Sequence, residues 1–446
     1  HPVTCSDNAS VSLVACYLLP VTSRLMRILM ISALEVWALA GGGGAPSLYE
    51  TLRGYTRRGH QIDFVTPTIG ANHQHGAPVQ RPPNIEGVSF YQFHLPSLSD
   101  ARLPLPGLVA KADQKLRFAL LFPWLASRKA QALTRSHDYD LLYGYELHGV
   151  LAQRLVRRKH RLPLVARFQG TVMHPYLGRP LRLARKFEEV LAVQTPASLY
   201  VMTDDGTQGD EVLARLNPRS AGKVRFWRNG LELAQLRPPL PEEALRARHD
   251  LGLANDELVL VTATRLARWK RVDRAIDAVA LLRDKGVKAR LIVVGDGEER
   301  ANLEQQARHL GLTDLVDFAG AVPQADVQRY LWAADVFICV NELSNVGNPL
   351  LEAMLAGRCI LTLDEGDTRD LIRDGDTGVL LSSGEPAAIA TALEALAREP
   401  ERRQRLAAGA RAFAKANFWS WQQRLDAEVD AVEALVARRE AVTGDV

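Results

Sequence analysis

Short apolar runs bounded by turn residues alternate with amphipathic helical patterns along most of this chain, and the alternation runs through twice. The first series has the runs RILMIS, QIDFVTP, VSFYQFH, DLLYGY, PLVARFQG, SLYVMT and VRFWRNG, with helical stretches such as APSLYETLRGYTRRG and LHGVLAQRLVRRKH between them. The second has ELVLVTATRL, ARLIVVGDG, LVDFAG, DVFICV and RCILTL. Runs that are apolar throughout, without strict alternation, predict strands buried on both faces, and strand-helix alternation predicts parallel sheets built from βαβ units. The fold class is therefore α/β, with two doubly wound Rossmann-like domains in succession.

With 446 residues the chain is long enough for two such domains, each burying its own core. The predicted limits are an upstream extension over 1–25, a first domain over 26–238, a second over 239–410 and a C-terminal helix over 411–446. Prolines cluster near LRPPLPEE at the joint, and Met26 opens the first strand. The apolar VSLVACYLLP upstream has no basic residues before it and no clear small-x-small cleavage site, so a signal peptide is the weaker reading and an upstream extension the stronger. The segment 69–108, rich in Pro, His, Ser and Gly, reads as a loop region over one edge of the first domain.

Lysine and arginine exceed aspartate and glutamate by 11 in residues 1–235 and fall short by 7 in 236–446, so the two halves face different partners. No run of apolar residues is long enough to span a bilayer. Cys5, Cys16, Cys339 and Cys359 lack C-x-x-C spacing, which points to a reducing compartment and to no zinc site.

Open α/β sheets bind ligands beyond the carboxyl ends of their strands, so the segments after strands carry the chemistry. Gly41–Gly44 follow the first strand and allow backbone N–H groups to approach an anion; a flexible loop is the competing reading. In VTATRLARWKR, Arg265 and Lys270 follow a strand at a spacing that can grip a diphosphate, the first as a fork and the second as a point charge. Gly295-Asp296-Gly297 forms a tight turn near the same crevice. The segment NELSNVGNPLLEAMLAGRCILTL places a polar loop after DVFICV, then Pro349 at a helix start and Glu352 one turn inside it. Backbone donors there would face a phosphate or sugar, and the carboxylate could accept both hydroxyls of a ribose.

These motifs, with RNGLELAQLRP, VDFAGAV, YLWAADVFICVN and LIRDGDTGVLL, resemble the retaining nucleotide-sugar glycosyltransferases of family 4, whose GT-B architecture implies two Rossmann-like domains facing across a cleft and, in the tail with Phe418-Trp419-Ser420-Trp421, a C-terminal helix that crosses back to the first domain. The resemblance covers about residues 26–425 and is strongest from Arg228 to Leu381. It implies that Arg265 and Lys270 hold the donor diphosphate, that Glu352 binds the ribose, and that Gly295, Asn345, Gly347, Asn348, Pro349 and Leu350 line the donor phosphate and sugar. Gly43 and Gly44 would approach the donor from the opposite domain.

Two departures stand out. Where the family has a glutamate eight residues before Glu352, this chain has Ser344, as does a subset of the family with SN-x-GN in this loop; Glu342 cannot be assumed to replace it. Where many relatives have a histidine, it has Gln169, which can hydrogen-bond a sugar hydroxyl but cannot act as a charged acid or base. His148 and His174 are further candidates for contacts near the reacting sugar, with a structural histidine as the alternative. Asp204-Asp205-Gly206-Thr207 matches a family turn that shapes the acceptor side or serves as a helix cap. Asp138-Tyr139-Asp140 precedes a strand and reads as a turn, not as a metal-binding D-x-D.

The resulting expectation is a metal-independent, retaining hexosyltransferase that needs no cofactor. Its donor is a nucleoside-diphosphate sugar, with UDP or GDP foremost; its acceptor is a sugar, lipid-linked or small-molecule hydroxyl in polysaccharide or glycolipid biosynthesis. Basic residues with interleaved aromatics in KADQKLRFALLFPWLASRKAQ and RLVRRKHR fit a cytoplasmic protein docking on the anionic inner face of the cell membrane, or a solvated helix over the sheet. No nucleic-acid recognition motif accompanies the basicity. The competing functions are a nucleotide-sugar 2-epimerase of the same fold and a non-catalytic sugar-nucleotide-binding module.

Overall fold

The computed structural model describes residues 24–34, 46–68, 84–96, 107–157 and 162–444. The first sheet holds β1 (Arg27–Ser32), β2 (Gln61–Pro67), β3 (Val88–Phe93), β4 (Leu141–Tyr145), β5 (Leu164–Phe168), β6 (Leu199–Thr203) and β7 (Val224–Trp227), in the order β3-β2-β1-β4-β5-β6-β7. The second holds β8 (Leu258–Ala263), β9 (Ala289–Val294), β10 (Val316–Gly320), β11 (Val336–Cys339), β12 (Cys359–Leu363) and β13 (Val379–Leu381), in the order β10-β9-β8-β11-β12-β13. All pairings between these strands are parallel. Each sheet reverses its strand order once, between β1 and β4 and between β8 and β11, and those two switch points open the crevices where ligands bind.

Period-two alternation sends each strand's side chains into two separate layers. Leu29 and Ile31 of β1 pack with Phe122, Ala126 and Ala130, whereas Ile28 and Met30 pack with Tyr143, Val429 and Val432. In the second domain Leu258 and Leu260 face the helix Val272–Asp284, while Val259 and Val261 face the layer of Leu351, Met354 and Ala410. The inner strands β4, β5, β6, β8 and β12 are buried along their whole length, which is why they read as largely apolar runs, whereas the edge strands β3 and β7 are partly exposed.

The chain's tail divides into two helices, Pro400–Asn417 and Trp421–Gly444. The first packs on the second domain through Leu406 and Ala410, and the second on the first domain through Val429, Val432 and Val436. At the break Leu231 N donates to Trp419 O at 3.1 Å and Trp421 N donates to Leu231 O at 3.3 Å. The two segments that pass between the domains therefore run side by side. A Cβ at Gly230 would lie 2.4 Å from the Trp421 Cα, so only glycine permits this approach.

Below this crossing three buried charges meet. Glu428, Arg167 and Arg424 are all fully buried. The Glu428 carboxylate accepts from Arg167 Nη1, from Arg424 Nη1 at 3.1 Å and from the Tyr143 hydroxyl at 2.6 Å. Burial pushes its carboxyl up, but the two guanidiniums outweigh that and hold it below the ordinary range.

Candidate active site

At the switch point of the second sheet, the loops after β8 and β11 stand side by side. A Cβ on Gly295 would lie 1.8 Å from Thr264 O, and its φ is +134°, so the turn after β9 presses its backbone against the β8 loop in a way only glycine allows. Lys270 is half-buried and has no carboxylate partner among the described residues; its ammonium lies 3.9 Å from the Trp269 ring centroid. Burial lowers its pKa, partly opposed by Cys339 and Asp205. Arg265 projects from the same loop into solvent and pairs with Glu298 at 3.1 Å.

After β11 the loop is built around Asn345, which is fully buried. Its Oδ1 accepts from Asn341 N at 2.9 Å and its Nδ2 donates to Leu363 O at 3.2 Å. The Asn345 side chain is thus occupied in shaping the loop. Gly347 caps the helix Asn348–Leu355, Leu350 is buried in the core, and Asn348 Oδ1 accepts from Asn229 Nδ2 at 3.4 Å. Asn348, Pro349 and Glu352 line a cavity of about 320 Å³ together with Gln324, Gly230 and Trp421. Gln324 Nε2 donates to Glu352 Oε1 at 2.6 Å, and burial pushes the Glu352 carboxyl up to about 7. Glu342 is held by Arg271 at 2.5 Å and Arg274 at 3.7 Å, so it does not stand in for a carboxylate at 344.

Ser344 faces the other domain. Its Oγ donates to Asp205 O at 2.6 Å and accepts from Val346 N at 3.0 Å, while Asp367 N donates to Gly206 O at 3.2 Å beside it. Gly206, at φ +75°, comes so close that a Cβ there would lie 2.4 Å from Ser344 Oγ. Ser344 closes the back of the cleft between the domains, and a longer side chain has no room in this arrangement.

From the first domain, Gln169 meets Tyr145 and Arg167. With its amide oxygen toward them it accepts from the Tyr145 hydroxyl at 2.7 Å and from Arg167 Nη2 and Nε at 3.1 Å. His148 packs against Phe118 and Phe122, 3.6 Å from a Glu188 oxygen, and burial lowers its pKa to about 4, so it is neutral at neutral pH. His174 lines the cleft with Thr171, Thr207, Glu342 and Glu365. Gly43 and Gly44 lie outside the described residues, as do Cys5, Cys16 and most of 69–108. Asp140 accepts from Arg27 N at 2.8 Å, which ties it to the amino end of β1, opposite the crevice. Among the described residues no cluster of three metal-ligating side chains occurs.

No sequence motif marks Glu146. It directly follows β4 at the switch point of the first sheet, in a left-handed conformation (φ 64°), and accepts from Gln169 N at 2.8 Å. Burial pushes its carboxyl up to about 7, and that of Asp205 up to about 6. The signal that could have found it was its place at a strand's carboxyl end.

A family model described as glycosyl transferases group 1 matches residues 244–413, and one described as a glycosyl transferase 4-like domain matches 42–230. The D-inositol 3-phosphate glycosyltransferase of Streptomyces avermitilis is 30% identical over 327 residues, covering 69% of this chain and 68% of its own. That of Thermomonospora curvata is 33% identical over 213 residues, covering 45% of this chain and 48% of its own, so the chain spans about half of that relative. Among solved structures, Anabaena HepE in complex with UDP and glucose superposes with a TM-score of 0.65 at 21% identity, covering 91% of this chain and 99% of that one. Sucrose-phosphate synthase of Thermosynechococcus elongatus gives a TM-score of 0.73 at 18% identity, over 93% and 100%. At such identities these structures speak for the two-domain GT-B fold.

Proposed function

The chain belongs to the group 1 glycosyltransferases, and from that premise we propose that it moves a hexose from a nucleoside diphosphate to a hydroxyl acceptor with retention of anomeric configuration. The observation that carries this reading is Lys270: a half-buried ammonium with no carboxylate partner among the described residues, at the switch point of the second sheet, is suited to hold a diphosphate. UDP-hexoses are the first donors to test, since HepE was solved with UDP and glucose. Arg265 is free to swing from Glu298 onto the same phosphates, an exchange of one exposed ion pair for a charge-assisted fork. With two cations stabilising the leaving diphosphate, the leaving oxygen accepts the acceptor's proton as the new bond forms on the same face, and transfer needs no metal. Nucleoside diphosphate release from a panel of UDP-, GDP-, ADP- and TDP-sugars in EDTA, with and without an acceptor pool, tests the reading. Release that requires both one donor and an acceptor supports it; turnover of a nucleotide sugar alone would instead indicate the epimerase.

Two expected outcomes concern residues facing the cleft. The folded Glu352 carboxyl holds its proton up to about 7 against an ordinary 4.5, so wild-type stability falls as pH rises through that window and levels off above it. Glu352→Gln removes this component, worth about 3 kcal/mol. Melting curves of wild type and variant therefore converge at low pH and separate above neutrality with the variant higher, while its donor affinity falls because one acceptor for the ribose hydroxyls becomes a donor. Parallel melting curves across that range would contradict the assignment.

Ser344→Glu, which restores the commoner family residue, lowers activity, because the added atoms collide with Gly206 and force the domains apart. Small-angle scattering should show a larger radius of gyration. A variant as compact and at least as active as wild type would refute the closing role of Ser344.

A further inference from the structure

Helical chain continues from Gly107 to Ser136, with a π turn over Arg117–Leu121, and it carries two apolar faces. One is spent on the core, through Phe122, Ala126, Ala130 and Leu133. The other bears Leu116, Leu120 and Trp124 at four-residue spacing, 56%, 57% and 48% exposed, with Val109 also open to solvent. Next to it, in the segment Pro180–Val193, Leu181 is 85% exposed, and Phe187 and Leu191 are exposed too. The two segments form one surface: Lys115 Nζ donates to Arg185 O at 3.0 Å and lies 5.4 Å from the Phe187 ring centroid.

Basic residues rim this apolar ground. The Arg128 guanidinium stacks 5.0 Å from the Trp124 ring centroid, and Arg117 lies 5.4 Å from Phe118. Arg179, Arg182 and Arg185 are exposed and have no carboxylate partner among the described residues. A surface helix normally keeps its second face polar. Lys115 is paired with Glu188 at 3.8 Å, but large exposed side chains beside three arginines that have no carboxylate among the described residues match a medium that offers hydrocarbon beneath a layer of negative charge.

We propose that this face of the first domain docks on an anionic lipid leaflet, with Leu116, Leu120, Trp124 and Leu181 entering the acyl boundary and Arg128, Arg179, Arg182 and Arg185 meeting lipid phosphates. The surface adjoins the cleft through the loop after β5, where Val172 is exposed while Thr171 and His174 line the crevice. Docking therefore holds the cleft mouth near the headgroups, which selects an acceptor anchored in that leaflet. This choice of acceptor deepens the transferase reading and rests on it; the docking itself does not.

Flotation with phosphatidylcholine and phosphatidylglycerol vesicles, without donor or acceptor, tests the surface. The protein floats with phosphatidylglycerol vesicles, less so at high salt, and hardly at all with phosphatidylcholine. Leu120→Glu with Trp124→Glu lowers the partition coefficient at least about tenfold, and Leu181→Asp several-fold, with melting temperatures unchanged because these side chains lie outside the core. Brominated acyl chains quench part of the tryptophan fluorescence, and Trp124→Phe abolishes that part. Wild type that stays with the aqueous phase, variants that bind as well as wild type, or a dimer dissolved by Leu120→Glu in the absence of vesicle binding would each overturn the proposal. Because nothing is turned over, that failure is distinct from a failure to release nucleoside diphosphate.

Discussion

Replacing Lys270 with alanine lowers kcat about a hundred- to a thousandfold, the usual cost of removing one preorganised charge that faces developing negative charge. It also weakens donor binding, since the diphosphate is already anionic in the ground state. The fold should persist, because Lys270 has no carboxylate partner whose charge would be stranded among the described residues. Arg265→Ala makes the informative contrast: it removes a side chain that is 75% exposed and already paired with Glu298, so its effect on kcat should be smaller. Lysine is also the titrating group. Its pKa lies below 10.5, so activity should decline on the alkaline side before an ordinary lysine would lose its proton, and Lys270→Arg should shift that decline upward even where it lowers the rate. Steady-state kinetics with calorimetric donor titration reads all of this. A kcat/KM within about tenfold of wild type for Lys270→Ala would sink the diphosphate assignment.

The largest loss of stability is expected from Glu428→Ala. The substitution strands two fully buried guanidiniums, Arg167 and Arg424, and deprives the Tyr143 hydroxyl of its acceptor. Breaking a buried ion pair from one side costs about 3 to 5 kcal/mol. In a domain of this size that lowers Tm by roughly 10 °C. Activity should suffer as well, because Arg167 also meets Gln169 at the cleft, and Gln169 in turn meets Tyr145. Glu428→Gln keeps a hydrogen-bond acceptor but not the charge, and should fall between the two. Scanning calorimetry that finds Glu428→Ala melting within about 2 °C of wild type would contradict the network's role.

What the sequence revealed follows from what each element buries. β8 reads as LVLVTA with every residue buried, and parallel strands covered on both faces leave just such runs. β13 leaves no such run, because VLL is three residues long and partly exposed. The break at Phe418–Ser420 was equally hidden, because the tail keeps its helical spacing through it; a contact with Leu231, far away in sequence, stops the helix. At the site, the motif after β11 located the crevice, but not which way its side chains turn. Asn345 turns inward to build the loop, and Ser344 turns across to Asp205. Glu146 carried no motif; its place directly after β4 is readable, but that β4 lies beside β1 at the switch point depends on strand order, which no local pattern records.

The crossing helix Trp421–Gly444 has a consequence for biosynthesis. Its Val429 and Val432 complete the core of the first domain, and Glu428 neutralises Arg167, yet the ribosome delivers them only after the whole second domain. Until then the nascent first domain holds an apolar groove open beside β4 and an uncompensated arginine within it. The usual vectorial order, in which the domain made first matures first, is therefore reversed: the second domain can close while the first waits for it.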